Sequence, residues 1–306
     1  MGNSQNGMIS NLRNNIFVRQ AIGGLRSLFS KKVTMLPTLF LLTLLLVGLF
    51  GPFLAPYDYT DRMYDENGEL IRSEGPSLDH PLGTTDSGYD ILSRVIIGAR
   101  PTVLTGVLGG GMIISIGLAM GVTSGYVGGN TDNVLMRVTD IFYSFPLIPF
   151  ALVLIAFFGI GFFTTVFIIG IILWRGNARV LRSQVLQIKE RPFVQVAKSS
   201  GAGKGRIITK HIVPNIASMA VLFFSLGMGY AIIAQAGLAF IGASDPFVPS
   251  WGVMIRNAYD SGYLASQPAW GVVPGILLGL TVASSFMLGR EFETDESEEA
   301  IAAGRG

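Results

Sequence analysis

Few groups in this chain could do chemistry. No cysteine occurs among its 306 residues, and the only histidines are His80 and His211. Disulfides and thiolate metal sites are therefore excluded. His80, Asp86 and Asp90 share one short stretch and offer nitrogen and oxygen donors, but Gly83 and Gly88 between them favour a structured re-entry element leading into the next apolar run. His211 has no second His or Cys beside it and reads as a packing or interfacial residue. The run Gly201 to Gly205, "GAGKG", invites a phosphate-binding reading. A P-loop wants a glycine where Lys198 stands and a Ser or Thr where Gly205 stands, and no strand precedes the run, so nucleotide binding by this chain is rejected. Without paired acids or clustered histidines in the apolar stretches, an enzyme is a remote reading. No catalytic, cofactor or metal site is assigned.

The elements that must position these groups are membrane helices. Half of the residues are hydrophobic and only 14% are charged, with a mean hydropathy of +0.52. That composition points to a membrane protein. A crossing takes about 20 apolar residues at 1.5 Å each. Six stretches qualify: Val33 to Ala55, Thr102 to Tyr126, Val134 to Phe158, Gly161 to Trp174, Ile212 to Ile241 and Gly271 to Gly289. The first is too long for a signal-peptide core and is read as a retained span. The fourth must borrow polar residues beyond Trp174 to complete a crossing.

Charge fixes the sidedness, because Lys and Arg resist translocation and acids contribute little. The tail 1–32 holds five basic residues and no acid, and Tyr57 to Arg100 holds nine acids against four bases. Arg175 to Lys210 holds nine bases and the single acid Glu190. The first and third segments are placed inside and the second outside. The expectation is an all-α integral membrane protein of six transmembrane helices, N-in and C-in, in the cell membrane. It divides into a cytoplasmic tail 1–32, a first helix 33–55, an extracytoplasmic segment 56–100, a transmembrane domain 101–290 with a cytoplasmic loop 175–211, and an acidic cytoplasmic tail 291–306, which its low apolar content leaves without fixed structure.

Ionisable residues are nearly missing inside the spans, with Asp140 near the start of the third and no acid in the second, fourth or fifth, so a secondary carrier with a midplane ion site is disfavoured. A channel would need a repeated charged or carbonyl-lined constriction, and none is legible. Glycines are frequent instead: Gly109 to Gly111, Gly117, Gly121, Gly125, Gly227, Gly229 and Gly237. They read as positions of close helix approach. Pro146 and Pro149 are expected to kink the third helix.

The basic segment cannot span, because each charge would cost several kcal/mol at the bilayer centre. Pro192 suits a first helical turn; Phe193, Val194, Val196 and Ala197 then form an apolar patch on a short helix, and Gly201 suits the left-handed position that ends it. The patch either docks a partner or folds back on the protein's own helices or the lipid surface.

This segment resembles the cytoplasmic coupling motif of binding-protein-dependent ABC importers: Gln195, Val196 and Ala197 stand at its opening triplet, Gly201 at its glycine and Pro214 at its proline. His211 replaces the usual apolar residue. "HPLGTTDSGYDILSRVIIGAR" (His80 to Arg100), "MRVTDIFYSFP" (Met136 to Pro146), "ARVLRSQVL" (Ala178 to Leu186), "AQAGLAFIGASDPFVPSWGVMI" (Ala234 to Ile255) and "QPAWGVVPG" (Gln267 to Gly275) resemble, in order, the dipeptide, oligopeptide and nickel permease subfamily. After Phe286 the match degrades. The resemblance implies the type I importer permease fold. It also implies a subunit without its own catalytic site, working with a second permease chain, two ATPase subunits and an extracytoplasmic solute-binding protein. ATPase coupling would fall to Gln195, Val196, Ala197, Gly201, Ala202, Arg206 and Pro214. Short peptides are the implied cargo, with nickel, a sugar or another small solute as the alternative.

Overall fold

A computed structural model of the chain describes the backbone of residues 32–303 and the side chains of residues 34–291. The basic tail through Lys31 and the last three residues lie outside the described residues. Among those described, the chain is helical apart from turns and two isolated antiparallel bridges, Tyr64 to Leu70 and Thr84 to Asp90. We label the helices α1 (Lys32–Leu54), α2 (Ile91–Leu104), α3 (Gly110–Val127), α4 (Gly129–Ser144), α5 (Leu147–Phe158), α6 (Phe162–Leu173), α7 (Arg175–Lys189), α8 (Pro192–Ser199), α9 (Ala217–Phe240), α10 (Trp251–Asp260) and α11 (Ala269–Ala303).

Five helical stretches are long and apolar enough to cross a bilayer: Thr34–Leu54, Ile91–Val127, Phe162–Lys189, Ala217–Phe240 and Ala269–Glu291. The paired helices α4 and α5, bent by 95°, would make a sixth. Large apolar side chains face outward along these elements, among them Leu36, Leu49, Phe53 and Phe157. Such a surface is stable where the solvent is hydrocarbon.

The second stretch is the axis of the fold. Helices α2 and α3 join through a π-helical insert, Thr105–Gly109, into one continuous helix. Its 37 residues span about 55 Å at 1.5 Å each. Three buried apolar clusters follow one another along it. Ile91, Val95 and Ala99 pack with α1, α10 and α11; Ile113 packs with α5, α6 and α9; Ile114 and Val122 pack with α7, α8 and the stretch before α9.

Close backbone approach, expected from the glycines, is what the structure shows at Gly117, Gly121 and Gly125. These lie four residues apart on one face of α3, against α7. A Cβ added at Gly121 would sit 2.6 Å from the Ala178 carbonyl oxygen, and one at Gly125 would sit 2.8 Å from Val185 Cβ. Gly111 and Gly237 meet nothing within 4 Å and have no such role.

The third span departs from the expected kink. Pro146 clashes with a helical Phe145, so Phe145 turns extended (φ −93°, ψ 126°), α4 ends and the chain turns through about a right angle. Pro149 falls in the first turn of α5, where its missing N–H breaks no intrahelical bond. The result is a break rather than a bend within one helix. The fourth span, by contrast, is completed as the sequence requires: α6 continues through Trp174 into the polar helix α7. At the C-terminus the backbone stays helical to Ala303 instead of losing fixed structure, in a stretch rich in the helix formers Glu and Ala.

The segment between α1 and α2 is held by side chains. Asp65 accepts the backbone N–H of Glu69 at 2.7 Å and of Asn67 at 2.9 Å. The Glu69 N–H foremost, with the Asn67 contacts behind it, holds the Asp65 carboxyl below the usual carboxylate range. Asp90 caps α2 by accepting the Ser93 N–H at 2.7 Å and the Ser93 hydroxyl at 2.6 Å, while its other oxygen meets His80 Nδ1 at 3.0 Å. Asp86 points elsewhere, to the Ser87 hydroxyl at 3.0 Å. Gly83 and Gly88 adopt φ of +81° and +79°, which a side chain disfavours. Gln267 Nε2 donates to the Ser73 carbonyl at 2.6 Å and Trp251 Nε1 to the Val95 carbonyl at 3.0 Å, fastening this segment and α10 to the rest.

The glycine contact yields a paired test. Gly121→Ala is expected to destabilise the purified protein by about 1–3 kcal/mol through overpacking against α7, whereas Gly111→Ala stays within about 0.5 kcal/mol of the parent. Thermal unfolding in detergent reads both.

Candidate functional site

Past the Val127 end of the axis the chain builds a small basic platform. Helix α7 is held on α3 by the glycine face and turns its arginines toward α4. Arg182 grips Asp132 with two parallel bonds, Nε to Oδ1 at 2.6 Å and Nη2 to Oδ2 at 2.5 Å. The Ser124 hydroxyl donates to the same carboxylate from α3, so three helices meet at Asp132. One turn back, Arg179 Nη2 lies 2.6 Å from Asp140 Oδ1 and its guanidinium lies 4.0 Å from the Tyr143 ring centroid. Arg175 donates to the carbonyls of Phe142 and Phe145, satisfying the open end of α4 at the proline break. Lys189 Nζ donates to the Gly125 carbonyl at 3.1 Å, capping the last turn of α3. Planar, forked donors suit such bidentate contacts.

Helix α8 sits at the edge of this platform. Pro192 occupies its first turn, where no N–H is needed, as the sequence predicts. Its end is a Schellman motif: the Ala202 N–H donates to the Ala197 carbonyl and the Gly201 N–H to the Lys198 carbonyl, both at 3.1 Å. Gly201 takes the left-handed conformation this requires, φ +77°. The chain then re-enters helix at Lys204–Ile207, passes through a second π-helical turn, Ile208–Ile212, and a short turn, Val213–Asn215, and begins α9.

One side chain anchors α8. Val194 is 2% exposed and joins Leu181, Val185 and Ile188 of α7 and Ile207, Ile212 and Ile216 in one apolar cluster. Val196 points the other way and is 65% exposed, beside Phe193, which is also exposed and sets its ring 6.3 Å from that of His211. Gln195 is half-buried and donates to the Lys189 carbonyl at 3.0 Å and to Glu190 Oε2 at 3.3 Å, locking the α7–α8 turn. Ala197 and Ala202 are half-buried; Gly201 and Arg206 are exposed. Pro214 is buried and sits in the first turn of Val213–Asn215. The seven residues singled out from sequence thus fall on one knob. Val196, Gly201 and Arg206 lie on its surface, Gln195, Ala197 and Ala202 at its rim, and Pro214 in its foundation.

Sequence reasoning missed the pairs beneath the knob. Arg182 and Asp132, and Arg179 and Asp140, are far apart in the chain, and only the fold brings them together. Lys198, Lys204, Arg206 and Lys210 are exposed on α8 and the turns after it, so a partner docking there meets positive charge beside Val196 and Phe193. Such a surface can bind.

The model of the family described as "Binding-protein-dependent transport system inner membrane component" matches residues 113–290, and the one described as "N-terminal TM domain of oligopeptide transport permease C" matches residues 22–76. The chain is 32% identical over 265 residues to the glutathione transport system permease protein GsiD of Pectobacterium atrosepticum, covering 86% of each chain. It is 32% identical over 261 residues to the oligopeptide transport system permease protein OppC of Haemophilus influenzae, covering 84% of this chain and 81% of that one. It is also 33% identical over 258 residues to GsiD of Escherichia coli O157:H7, covering 84% of this chain and 83% of that one.

Anchoring through a single residue separates stability from surface chemistry. Val194→Ala is expected to cost about 2 kcal/mol, the loss of two buried methylene-sized groups with some cavity. Val196→Ala is expected to shift stability by less than about 0.5 kcal/mol. Thermal midpoints of the two purified variants check this.

Proposed function

The chain belongs to the family of binding-protein-dependent transport system inner membrane components, multi-pass proteins of the cell membrane, and from that membership we propose that it imports short peptides as one of two permease chains energised in trans. A solute-binding protein on the outer side delivers the peptide, and one of two ATPase subunits receives the α8 knob from the cytoplasm. Both termini then lie inside, consistent with the basic content of residues 175–210 and of the N-terminal tail.

The observation that carries this reading is the construction of α8. Burial of Val194 and the locked turns at Gln195 and Gly201 make it rigid, while Val196 and Phe193 stay exposed. A rigid helix with an apolar centre can enter a groove and be pushed. What it pushes against is equally fixed, because α7 is joined to α3 by backbone contact and to α4 by paired charges. Movement imposed on α8 therefore reaches the membrane helices through few soft side chains. The relatives named for glutathione and for oligopeptides support peptides as the cargo class.

With no native cysteine, Val196→Cys gives a single labelling site. It is expected to crosslink to an ATPase subunit in the assembled complex. Val196→Glu or Gly201→Trp is expected to reduce ATP-driven peptide uptake and ATPase stimulation at least about tenfold, roughly 1.4 kcal/mol of coupling, with unchanged membrane insertion. Capture of lipid or of this polypeptide alone, or normal uptake by both variants, overturns the assignment.

A further inference from the structure

At the Ile91 end of the axis, opposite the α8 knob, the segment before α2, the loop 241–250 and α10 enclose a cavity of about 640 Å³. That size is within the range of small-molecule sites. Tyr59, Tyr89, Phe247 and Trp270 give it aromatic walls, and Asp86 and Arg94 place one charge of each sign in it. Asp260 also lines it but is paired with Arg256 at 3.1 Å.

One donor in these walls has capacity to spare. Arg94 lies 3.8 Å from the centroid of the Tyr89 ring and spends its Nε on the Tyr59 carbonyl at 3.2 Å. No ion pair joins Arg94 to a carboxylate among the described residues, although it is partly buried. Trp270 is 3% exposed and its indole N–H is fully covered, so it contributes a wall and no donor. A partly buried cation without a paired carboxylate is costly, and that cost falls when an anion enters. Asp86, which accepts the Ser87 hydroxyl and lies within electrostatic range of Arg94, supplies the opposite charge.

Forked guanidinium donors suit a carboxylate, a free carboxylate side chain suits an ammonium, and ring faces suit whatever apolar groups lie between. We propose that this cavity binds a short dipolar peptide directly, with Arg94 receiving its C-terminal carboxylate and Asp86 its amino group. The inference deepens the import reading and rests on it. It assigns the permease chain itself a part in selecting free peptide termini, in addition to selection by a binding protein.

The test uses the complete complex in nanodiscs without the soluble binding protein, so that a carboxylate from that partner cannot occupy the site. Titration calorimetry compares alanyl-phenylalanine and glutathione with their C-terminal amides and N-acetyl derivatives. The free peptides are expected to bind saturably, and each blocked form at least tenfold more weakly. Arg94→Gln should abolish the preference for acid over amide, and Asp86→Asn the preference for free amine over N-acetyl. No binding of the free peptides, or both preferences unchanged in these variants, overturns the site. ATP-driven uptake measured in parallel, with the binding protein restored, separates the two readings. Uptake of peptide alongside a failed titration removes only this site; loss of uptake for every peptide removes the import reading instead.

Discussion

Backbone contact between α3 and α7 is the constraint on which the α8 end of the molecule depends. Gly117, Gly121 and Gly125 leave no side-chain layer between the two helices, so their separation is set by main-chain atoms. With α7 so placed, Arg175, Arg179 and Arg182 reach α4, and Lys189 reaches the end of α3. The apolar side of α7 then supplies the floor on which Val194 rests. A methyl group on the glycine strip would move the floor, the arginines and α8 together. Few interactions elsewhere in the chain have so many dependents.

Local features of the sequence were legible in proportion to how locally they are determined. The start of α8 at Pro192, its stop at Gly201 and the extension of the fourth span beyond Trp174 follow from propensities acting within a turn or two, and the structure has them. Close approach at the glycines was also foreseeable, but not which of them meet a neighbour: Gly121 is pressed against α7 while Gly111 faces open space. The bend at Pro146 was expected and its size was not. A proline in an otherwise helical run reads as a kink; the break is completed by Arg175, which satisfies the carbonyls freed at Phe142 and Phe145 from thirty residues away.

Charge was read as a signal of sidedness, and it also has a second use that no window of sequence contains. The same arginines that mark the inner side are the clamps on Asp132 and Asp140. Likewise Asp90 looked like one of three metal donors, yet it closes the first turn of α2 and holds His80. In both cases the residue type was noticed and the partner was not, because partnership is fixed by packing between elements distant in the chain. The cavity beside Arg94 belongs to the same class: its walls come from the segments around residues 59, 89, 247 and 270, which have no common pattern.

The π-helical insert at Thr105–Gly109 gives the long axis a further property. A helix continuous from Ile91 to Val127 transmits torsion as well as tilt, since its peptide units, apart from the donor missing at Pro101, are hydrogen-bonded along the chain. A widened turn holds one surplus residue, and that surplus can pass along the helix while both ends stay wound. Each such step swings one side chain through about 100° about the axis. Midway between the charged cavity and the glycine strip, the shaft therefore contains its own slip joint.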